Sequence, residues 1–345
     1  MNGFVQKIAA FLVMSSLFIG GCNHQQAKAV HDYQEGYPLT VANYDGYAGQ
    51  GRLLQQVFNQ APQRILAVSA PVIDNLIFLG LQDKIIAAAA DGGGRYEPYE
   101  KEYAKLYKLT KNNAYPTKEA VLSLQPDMII GWGSLFGEDA LGSVAYWQEK
   151  GIHTYVMSNT VPTRASGLRK VENIITDLQN ISRIVGVESR AQEKIAGLEN
   201  RLDRIKQQTR DVPEEARPTV VTIQYMYGNE YSERSYSDLT ADVIWQAGGK
   251  SLDTGLGSRQ SIEYLVKKNP DIIMLVDMQG KSAKASIEQL KNNQALKNVR
   301  AVKNSNFFVI EYKAFYCGSF HTIEAVEKLH AFIVNEQQAG AAFLE

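Results

Sequence analysis

The sequence predicts an α/β protein with two Rossmann-like lobes. Each lobe has a central parallel sheet, and one long α-helix joins the two lobes. Short apolar segments alternate with amphipathic helical segments, which is the pattern of a parallel sheet covered by helices on both faces. This alternation occurs twice, once before residue 186 and once after residue 211. Between the two parts lies a charged segment with a single apolar stripe, which predicts the joining helix.

Length and charge set the broad class. The chain has 345 residues, which is long enough for two domains. Its 36 Lys and Arg residues nearly balance its 37 Asp and Glu residues, for a formal net charge of −1. Binding to a phosphate backbone requires a basic stripe, so nucleic acid is not an expected partner.

The N-terminus predicts export and a lipid anchor. Lys7 is the only charged residue before the apolar residues 8–19, which are too few to span a membrane. The segment Ile-Gly-Gly-Cys that follows ends at Cys22 and resembles the bacterial lipobox, in which the cysteine is acylated and the preceding peptide is removed. We therefore predict a signal peptide at residues 1–21, a polar tether at 22–36 and lipidation of Cys22. The alternative is an ordinary secretory signal with a chance cysteine.

The first lobe is predicted at residues 37–186. An apolar run at 64–69 reads as its first strand, and Pro71 suits the first turn of the helix that follows. The predicted strands are residues 64–69, 84–90, 127–132 and 153–158. The predicted helices are residues 71–79, 117–124 and 138–150, and a glycine-rich loop is predicted at 91–95.

Residues 187–210 are predicted to form the linking helix, and residues 211–345 the second lobe. The apolar stripe of the linking helix recurs at spacings of three and four residues. A coiled-coil arm for oligomers is the alternative, but a stretch of about three heptads inside an α/β chain favours a brace within a monomer. The second lobe has predicted strands at 218–225, 271–277 and 306–312. Its predicted helices are 239–247, 261–268, 285–290 and a last helix with apolar residues from Ile323 to Phe332.

One segment occurs in both lobes. EAVLSLQPDMII occupies residues 119–130, and EYLVKKNPDIIM occupies residues 263–274. Proline ends a helix because its ring clashes with the preceding turn, so each copy predicts a helix, a turn and a strand. A general preference for Pro-Asp at such junctions explains that pair of residues, but it explains less well the Glu that opens both copies.

These segments and the wider sequence resemble the substrate-binding receptors of bacterial ABC importers. The resemblance rests on VSAPVIDNLIFLGLQDKIIAA, YPTKEAVLSLQPDMIIGW and QSIEYLVKKNPDIIMLV, and it extends from about Tyr37 to Phe332. The similar branch is the helix-linked, class III branch for iron–siderophore complexes, haem and vitamin B12. The resemblance implies a receptor without enzymatic activity or a cofactor of its own, which binds a metal chelate and works with a permease dimer. It also implies a ligand cleft between the two lobes, and a place at the outer face of the cytoplasmic membrane or in the periplasm.

Two other classes fit the sequence less well. A membrane-anchored hydrolase would need a nucleophile, but the chain lacks G-x-S-x-G, H-E-x-x-H, the P-loop and G-x-G-x-x-G after a strand. A receptor for bare metal ions shares the predicted architecture and needs several His and carboxylate ligands. Only five His are present, and His24 and His31 lie in the tether. No metal site of the protein itself is therefore predicted.

The cleft residues are predicted from the strand ends. In open parallel sheets, ligands bind beyond the carboxyl ends of the strands. The residues at those positions are aromatic with scattered Arg, which suits a large, flat, partly anionic ligand. The predicted ligand contacts are Trp132, Tyr225, Tyr227, Arg259, Arg95 and Tyr312.

Within the family, the sequence leaves the ligand open. Trp132 stands where vitamin B12 receptors of this branch place a Trp that contacts the corrin ring, but Gly257 stands where those receptors have a second Trp. Haem receptors of the branch place a Tyr ligand where this chain has Asn112. An iron(III)–siderophore complex is therefore the first choice, and a corrinoid such as vitamin B12 is the alternative.

The resemblance also gives a role to the Glu that opens each repeated segment. In this family, paired glutamates at these positions are understood to dock onto arginines of the two permease subunits, and Glu119 and Glu263 match them. The alternative is that each carboxylate only complements the dipole of its helix.

Overall fold

The structure is a computed structural model that describes residues 36–90, 92, 97–111, 114–162, 169–254, 259–277, 283–315 and 318–342. The predicted signal peptide, Cys22 and almost all of the predicted tether lie outside these residues, and so does Arg95. The chain from Gln34 to Glu345 is one compact unit. Within it, two α/β lobes with parallel central sheets confirm the predicted fold class, while the predicted domain boundaries stay predictions.

The described chain begins with a hairpin that the sequence prediction missed. Strands β1 (Leu39–Tyr44) and β2 (Leu53–Phe58) pair in antiparallel register. The first lobe then builds a parallel four-stranded sheet from β3 (Ile65–Val68), β4 (Ile85–Ala89), β5 (Met128–Gly131) and β6 (His153–Val156). The strand order is β4-β3-β5-β6, so β6 is an outer strand of this sheet.

The hairpin covers the outer edge of β6 with side-chain amides instead of a paired strand. The Asn43 amide donates to the Val156 carbonyl at 3.0 Å, and its oxygen accepts from the Val156 N–H at 2.7 Å. The Gln56 amide makes the same exchange with Thr154, at 3.0 and 3.4 Å. Asn43 and Gln56 are both buried. Two buried amides thus satisfy backbone groups that would otherwise be unpaired at a sheet edge.

The described residues of the first lobe include four α-helices: α1 (Ala70–Phe78), α2 (Glu100–Lys105), α3 (Lys118–Leu124) and α4 (Val144–Glu149). Helix α4 is shorter than the helix predicted at residues 138–150. Gly142 has a φ of 76°, which no helix tolerates, and the Ser143 side chain accepts a hydrogen bond from the Tyr146 N–H as the N-cap. The helix therefore begins at Val144.

Two long helices follow, α5 (Glu172–Ile184) and α6 (Glu188–Thr209), and the second of them touches both lobes. Near its start, Lys194 donates to the carbonyl of Phe78 at the end of α1 at 2.8 Å. Further along, the Arg201 guanidinium pairs with Glu327 of the last helix, with a 2.8 Å bond from Nε to Oε1. The apolar stripe of α6 is buried along its length: Ala191, Ile195, Leu198, Leu202 and Ile205. This helix braces the two lobes.

The second lobe has a mixed sheet. Its strands are β7 (Thr219–Tyr227), β8 (Glu230–Glu233), β9 (Lys250–Ser251), β10 (Arg259–Ser261), β11 (Ile272–Asp277) and β12 (Phe307–Glu311). Strands β7, β11 and β12 are parallel, whereas β8 and β10 extend the sheet in antiparallel fashion beside β7. The order is β10-β8-β7-β11-β12, and β9 pairs with the start of β7. The antiparallel extension was not predicted.

The helices of the second lobe are α7 (Leu239–Gln246), α8 (Ile262–Lys268), α9 (Ala283–Asn292), α10 (Arg300–Lys303), α11 (Tyr312–Phe315) and α12 (Phe320–Ala342). One apolar core includes residues of both lobes, among them Ile73 and Leu76 of α1 and Ile323 and Val326 of α12. This core is therefore continuous from one lobe to the other and holds them together.

The repeated segment folds in the same way in both lobes. Helices α3 and α8 both end on a residue with left-handed backbone, Gln125 at φ 49° and Asn269 at φ 43°, directly before the proline. An arginine then caps the last carbonyls of each helix. Arg64 donates to the carbonyls of Gln125 and Leu124 at 2.9 and 2.7 Å, and Arg300 donates to that of Asn269 at 2.8 Å.

The Asp after each proline ties the segment to the neighbouring parallel strand. Asp127 accepts hydrogen bonds from the backbone N–H groups of Gln63 and Arg64 at 2.7 and 2.8 Å, just before β3. Asp271 accepts from the backbone N–H of Thr219, the first residue of β7, at 2.8 Å. The Pro-Asp pair therefore has a structural role in both lobes: it ends a helix and fixes where the next strand begins.

Candidate ligand-binding site

Trp132 lies at the carboxyl end of β5, where the sequence placed it. It is half-buried and extended, with φ −78° and ψ 158°, and a short 3-10 helix at Gly133–Phe136 follows it. The Gly133 N–H donates to Thr160 Oγ1 at 2.7 Å. A Cβ on Gly133 would come within 2.7 Å of the Thr160 carbonyl, so only glycine fits this approach. The backbone next to Trp132 is therefore held in one place.

A β-bulge in β7 determines where the two predicted tyrosines point. Val221 and Ile223 pack into an apolar core that lies on one face of the second sheet. Regular alternation along the strand would send Tyr225 and Tyr227 to that same face. The register shifts between Ile223 and Tyr225, and Met226 packs against that core instead. Tyr225 and Tyr227 therefore lie on the opposite face of the sheet. The bulge redirects both side chains, as bulges near functional sites commonly do.

Arg259 joins these tyrosines on the antiparallel extension. Arg259 lies opposite Ser232 of β8, and Ser232 lies opposite Tyr225 of β7. Arg259, Ser232 and Tyr225 therefore lie on the same face of the sheet. The Arg259 guanidinium lies over the Tyr227 ring, 4.0 Å from its centroid. The rings of Tyr225 and Tyr227 are 6.0 Å apart. The structure thus brings together three of the six predicted contacts as one cationic and aromatic surface, but on a short strand rather than on the loop that was expected for Arg259.

Tyr312 lies at the carboxyl edge of the same sheet. Helix α11 begins at Tyr312 directly after β12, and the side chain is half-buried against the large core. The carbonyl of Ala314 in α11 accepts a 2.6 Å hydrogen bond from Thr322 Oγ1, which fixes this short helix to α12. Tyr312 is thus positioned at the sheet edge, two strands away from the tyrosines of β7.

An arginine pair next to the bulge was not predicted as a site. Arg169 and Arg234 each pair with one oxygen of the Asp238 carboxylate, both at 2.8 Å. Arg234 also donates to the side-chain oxygen of Gln224, the residue in the bulge, at 2.9 Å. Two guanidinium groups share one carboxylate, so a net positive charge remains beside the aromatic surface. Asp238 is only four residues after Arg234, but Arg169 lies 69 residues before Asp238, so the pairing of the two arginines left no local signal in the sequence.

In each lobe, one of the buried carboxyl groups near the sheet has a raised pKa. Asp177 accepts from the Ser158 N–H at 3.0 Å and from Tyr155 Oη at 2.9 Å, just beyond β6. Asp253 accepts from the Thr222 N–H in β7 at 2.8 Å. Burial raises the pKa of both carboxyl groups to about 7, although these hydrogen bonds oppose the shift. Both groups therefore titrate near neutral pH.

Among the described residues, no group of three or more His, Cys, Asp or Glu side chains is arranged to hold a metal ion. Likewise, no helix in the described part of the chain is both long enough and apolar enough to cross a membrane.

Glu119 and Glu263 occupy equivalent and exposed positions. Each lies in the first turn of its helix, α3 or α8, two residues after the N-cap residues Thr117 and Ser261. The pKa of Glu119 is lowered by a hydrogen bond to its own backbone N–H and by Thr117, and that of Glu263 by Ser261 and its own backbone N–H. Both side chains therefore carry a negative charge over a wide pH range.

This fold and site define a class of ligand-binding receptors with two α/β lobes. Residues 65–314 match the family described as periplasmic binding protein, and the chain belongs to that family. Membership in a family of binding proteins confirms that the chain is not an enzyme, and it indicates an extracytoplasmic location.

Several known proteins resemble the chain. The iron-uptake system-binding protein of Bacillus subtilis is 22% identical over 220 residues, which cover 63% of this chain and 65% of that protein. The petrobactin-binding protein YclQ of the same organism is 23% identical over 265 residues, which cover 74% of this chain and 76% of YclQ. A periplasmic binding protein from Veillonella parvula has the same fold, with a TM-score of 0.71 and 23% identity over 86% of this chain and 98% of that one.

Proposed function

We propose that this protein is the substrate-binding receptor of an ABC importer and that it captures an iron(III)–siderophore complex for delivery to a membrane permease. The observation that carries the proposal is the surface formed by Tyr225, Tyr227 and Arg259 on the bulged edge of the second sheet. The names of two relatives, an iron-uptake protein and a petrobactin-binding protein, support the same ligand class.

The proposed contacts have distinct roles. Rings at Tyr225 and Tyr227 pack against the flat faces of a large chelate, and the Arg259 guanidinium pairs with its anionic oxygens. In the structure, Arg259 Nη1 lies 3.6 Å from Glu230 Oε2, and both side chains are well exposed. Such a surface pair is weak, so Arg259 can exchange Glu230 for a ligand oxygen at little cost. The positive charge at Arg169 and Arg234 favours an anionic ligand on this side of the cleft.

Trp132, Tyr312 and Arg95 complete the proposed set of contacts. Trp132 supplies an aromatic surface from the first lobe, and Tyr312 supplies one from the far side of the second sheet. Arg95 lies outside the described residues, and its part in the site rests on its predicted place after the second strand of the first lobe. No cofactor of the protein itself is proposed.

The test is a titration of the intrinsic Trp fluorescence of the mature protein with ferric petrobactin, ferrioxamine B and cyanocobalamin. We expect a ferric siderophore to bind, and we expect Tyr227→Ala and Arg259→Ala each to weaken binding by about 1–3 kcal/mol. Tyr107→Ala is the matched control, because Tyr107 is an exposed Tyr of the first lobe. Unchanged affinity in Trp132→Ala, Tyr225→Ala, Tyr227→Ala and Arg259→Ala, with folding intact, would place the site elsewhere.

A corrinoid ligand is the second candidate, and the observation that favours it is the half-buried Trp132 at the carboxyl end of β5. Strong quenching by cyanocobalamin, together with no response to either ferric siderophore, would establish this candidate in place of the first.

Docking of the receptor onto its permease is proposed to use Glu119 and Glu263. Two equivalent exposed charges, one in each lobe, would fix the orientation of the receptor better than one, and charges at the rim of an interface chiefly affect encounter. The double variant Glu119→Ala with Glu263→Ala should bind ligand normally but support little uptake through its permease. The control replaces the exposed Glu149 and Glu288, which also lie on one helix in each lobe. Normal uptake by the first double variant would leave the two glutamates only a role at the helix ends.

Lipidation of Cys22 is proposed to keep the receptor near that permease. A tether of residues 22–36 can extend to about 50 Å, which allows the lobes to turn above a membrane surface. Mass spectrometry of the protein from membranes tests this: an acylated Cys22 supports it, and an unmodified N-terminus elsewhere contradicts it.

A further inference from the structure

The two lobes meet through the end of α1 and the start of α12. The rings of Phe78 and Phe320 stack with their centroids 4.7 Å apart. The backbone N–H of Phe320 donates to Asn75 Oδ1 at 3.1 Å, and both groups are buried. This contact joins sequence positions from opposite lobes and lies next to the short helix α11, which begins at Tyr312.

His321 lies at the centre of this contact, and only 3% of it is exposed. Its Nε2 is 3.2 Å from Asp74 Oδ2 in α1, and its Nδ1 is 3.3 Å from Glu324 Oε2 in its own helix. The other oxygen of Asp74 accepts a 2.8 Å hydrogen bond from Tyr103 of α2. A neutral imidazole has one N–H donor, whereas a protonated imidazole has two. Both carboxylates can therefore accept a hydrogen bond from His321 at the same time only when the imidazole is protonated.

We infer that His321 is a positioning residue that joins the lobes through Asp74, is itself held by Glu324 of its own helix, and keeps the ligand cleft in its binding geometry when the imidazole is protonated. The inference on ligand affinity rests on the proposed function, because it requires that the cleft bind a ligand. The contact between the lobes itself does not depend on that function.

The charged groups around His321 favour its protonated form. Burial alone would lower the pKa of His321, but the hydrogen bonds to Asp74 and Glu324 outweigh burial and raise the pKa above its usual 6.5. His321 in turn lowers the pKa of Glu324, and Arg201 and Lys328 act in the same direction.

Strand β12 also faces this contact. A cavity of about 90 Å³ lies beside the imidazole. The lining includes His321 and Glu324, the charged side chains Glu311 of β12 and Lys328 of α12, and the apolar Ala314 and Ala325. The Glu311 carboxylate and the Lys328 ammonium group therefore line the same cavity as His321.

The sign of the pH effect follows from these shifts. Because the folded-state pKa of His321 is raised, the stabilisation is fully present below the ordinary value of 6.5 and is lost as the pH rises through the raised value. Because the pKa of Glu324 is lowered from 4.5, its contribution is present above 4.5 and is lost only as the pH falls through the lowered value. The contact is therefore complete between these two ordinary values and weakens toward alkaline pH.

The contact is connected to a proposed ligand residue. Thr322, the next residue after His321, donates from Oγ1 to the Ala314 carbonyl of α11 at 2.6 Å. Helix α11 begins at Tyr312, so a shift at the start of α12 moves the backbone that carries this Tyr. Loosening of the lobe contact therefore alters the cleft at Tyr312 as well as the angle between the lobes.

The first test needs no ligand. Hydrogen exchange of residues 318–324, corrected for the intrinsic rate, should rise in the wild type from about pH 5.5 to about pH 8, as the imidazole loses its proton. The variants His321→Gln and Asp74→Asn should lose this pH dependence. The matched control is His330→Gln on the same helix, because His330 contacts the Ala247 carbonyl and Gln208 rather than a carboxylate. An unchanged pH dependence in His321→Gln would overturn the inference.

The second test measures affinity with ferric petrobactin and ferrioxamine B. We expect the wild type to bind the better of these probes about tenfold more tightly at about pH 6 than at about pH 8, and His321→Gln to lose that difference. Equal pH dependence in the two proteins would remove the link to the cleft. If the wild type binds neither probe, the proposed function fails, and the hydrogen-exchange result still decides whether His321 joins the lobes.

Discussion

The two lobes share one structural unit but treat the edges of their sheets differently. In both, a short helix ends at a left-handed residue before Pro-Asp, and the Asp fixes the start of a neighbouring strand. In the first lobe, the amides of Asn43 and Gln56 close the outer edge at β6. In the second lobe, two antiparallel strands extend the sheet beside β7.

This difference distinguishes the part of the fold that both lobes share from the part that carries the proposed ligand contacts. The shared unit builds the sheet and presents Glu119 and Glu263 at equivalent places. The closed edge of the first lobe gives no new surface, whereas the extension of the second lobe carries Arg259 and, through its bulge, turns Tyr225 and Tyr227 to the same face. Under the proposed function, the repeated unit supplies equivalent charges for docking onto the permease, whereas the unrepeated edge supplies the ligand surface.

The largest expected effect concerns the closed edge. Replacing both Asn43 and Gln56 by Ala leaves four backbone groups of Thr154 and Val156 without their present partners. At about 1 kcal/mol for each hydrogen bond, the free energy of unfolding should fall by about 4 kcal/mol. Urea denaturation measures this fall, and Gln55→Ala is the control because Gln55 is exposed on the same strand. A loss as small as that of the control would show that water replaces the amides.

The second prediction compares the buried carboxyl groups. Burial raises the pKa of Asp177 and Asp253 from 3.8 to about 7, so the folded protein binds their protons more tightly than the unfolded chain. Each group therefore makes the free energy of unfolding fall as the pH rises from about 4 to about 7, by about 3 kcal/mol.

The difference between the wild type and each Asn variant isolates this effect from other titrating groups. Denaturation of Asp177→Asn and Asp253→Asn across that pH range should show a flatter curve than the wild type in both cases. If only one variant flattens the curve, the two lobes differ in how their buried carboxyl group is solvated.

The third prediction separates the two Asp residues of the repeat. The bonds of Asp127 to Gln63 and Arg64 are exposed, so water can replace them and Asp127→Ala should cost about 1 kcal/mol. Asp271 also accepts from Thr219 Oγ1 at 2.6 Å in a partly buried site and pairs with Arg300, so Asp271→Ala should cost about 2 kcal/mol. Thermal unfolding measures both, with the exposed Asp139→Ala as control. Equal costs would contradict this difference in burial.

Local patterns in the sequence were sufficient to predict the linking helix and the repeated helix–turn–strand unit. The apolar stripe of residues 187–210 predicted a helix that the structure has at Glu188–Thr209, and the sequence offered Thr117 or Pro116 as the cap of α3, of which the structure has Thr117. Both signals come from neighbouring residues, through helical periodicity and capping chemistry. The predicted helix at 138–150 was too long, because the break at Gly142 depends on one backbone angle.

The missed parts depend on distant partners. Strands β1 and β2 hold their place through amides that bond β6 about 100 residues away, and a polar residue in a short strand gives no sign of such a partner. The bulge at Gln224 also has no local signature in the sequence, yet it determines which face of the sheet carries Tyr225 and Tyr227. The sequence therefore predicted Tyr225, Tyr227 and Arg259 as ligand contacts, but the face that they share depends on the register of three strands.

The smallest expected effect compares the caps of the two repeated helices. Thr117 accepts a 3.2 Å hydrogen bond from the Ala120 N–H at the start of α3, whereas Ser261 makes no side-chain bond to the backbone as the cap of α8. Thr117→Ala should therefore lower the free energy of unfolding by about 1 kcal/mol, and Ser261→Ala by only a few tenths. Because Ser261 instead bonds the Glu263 carboxylate, its loss should raise the pKa of Glu263, which carbon-13 NMR can follow. A larger stability loss for Ser261→Ala than for Thr117→Ala would contradict this prediction. It would show that α8 depends on Ser261 although the Ser261 side chain makes no hydrogen bond to the helix backbone.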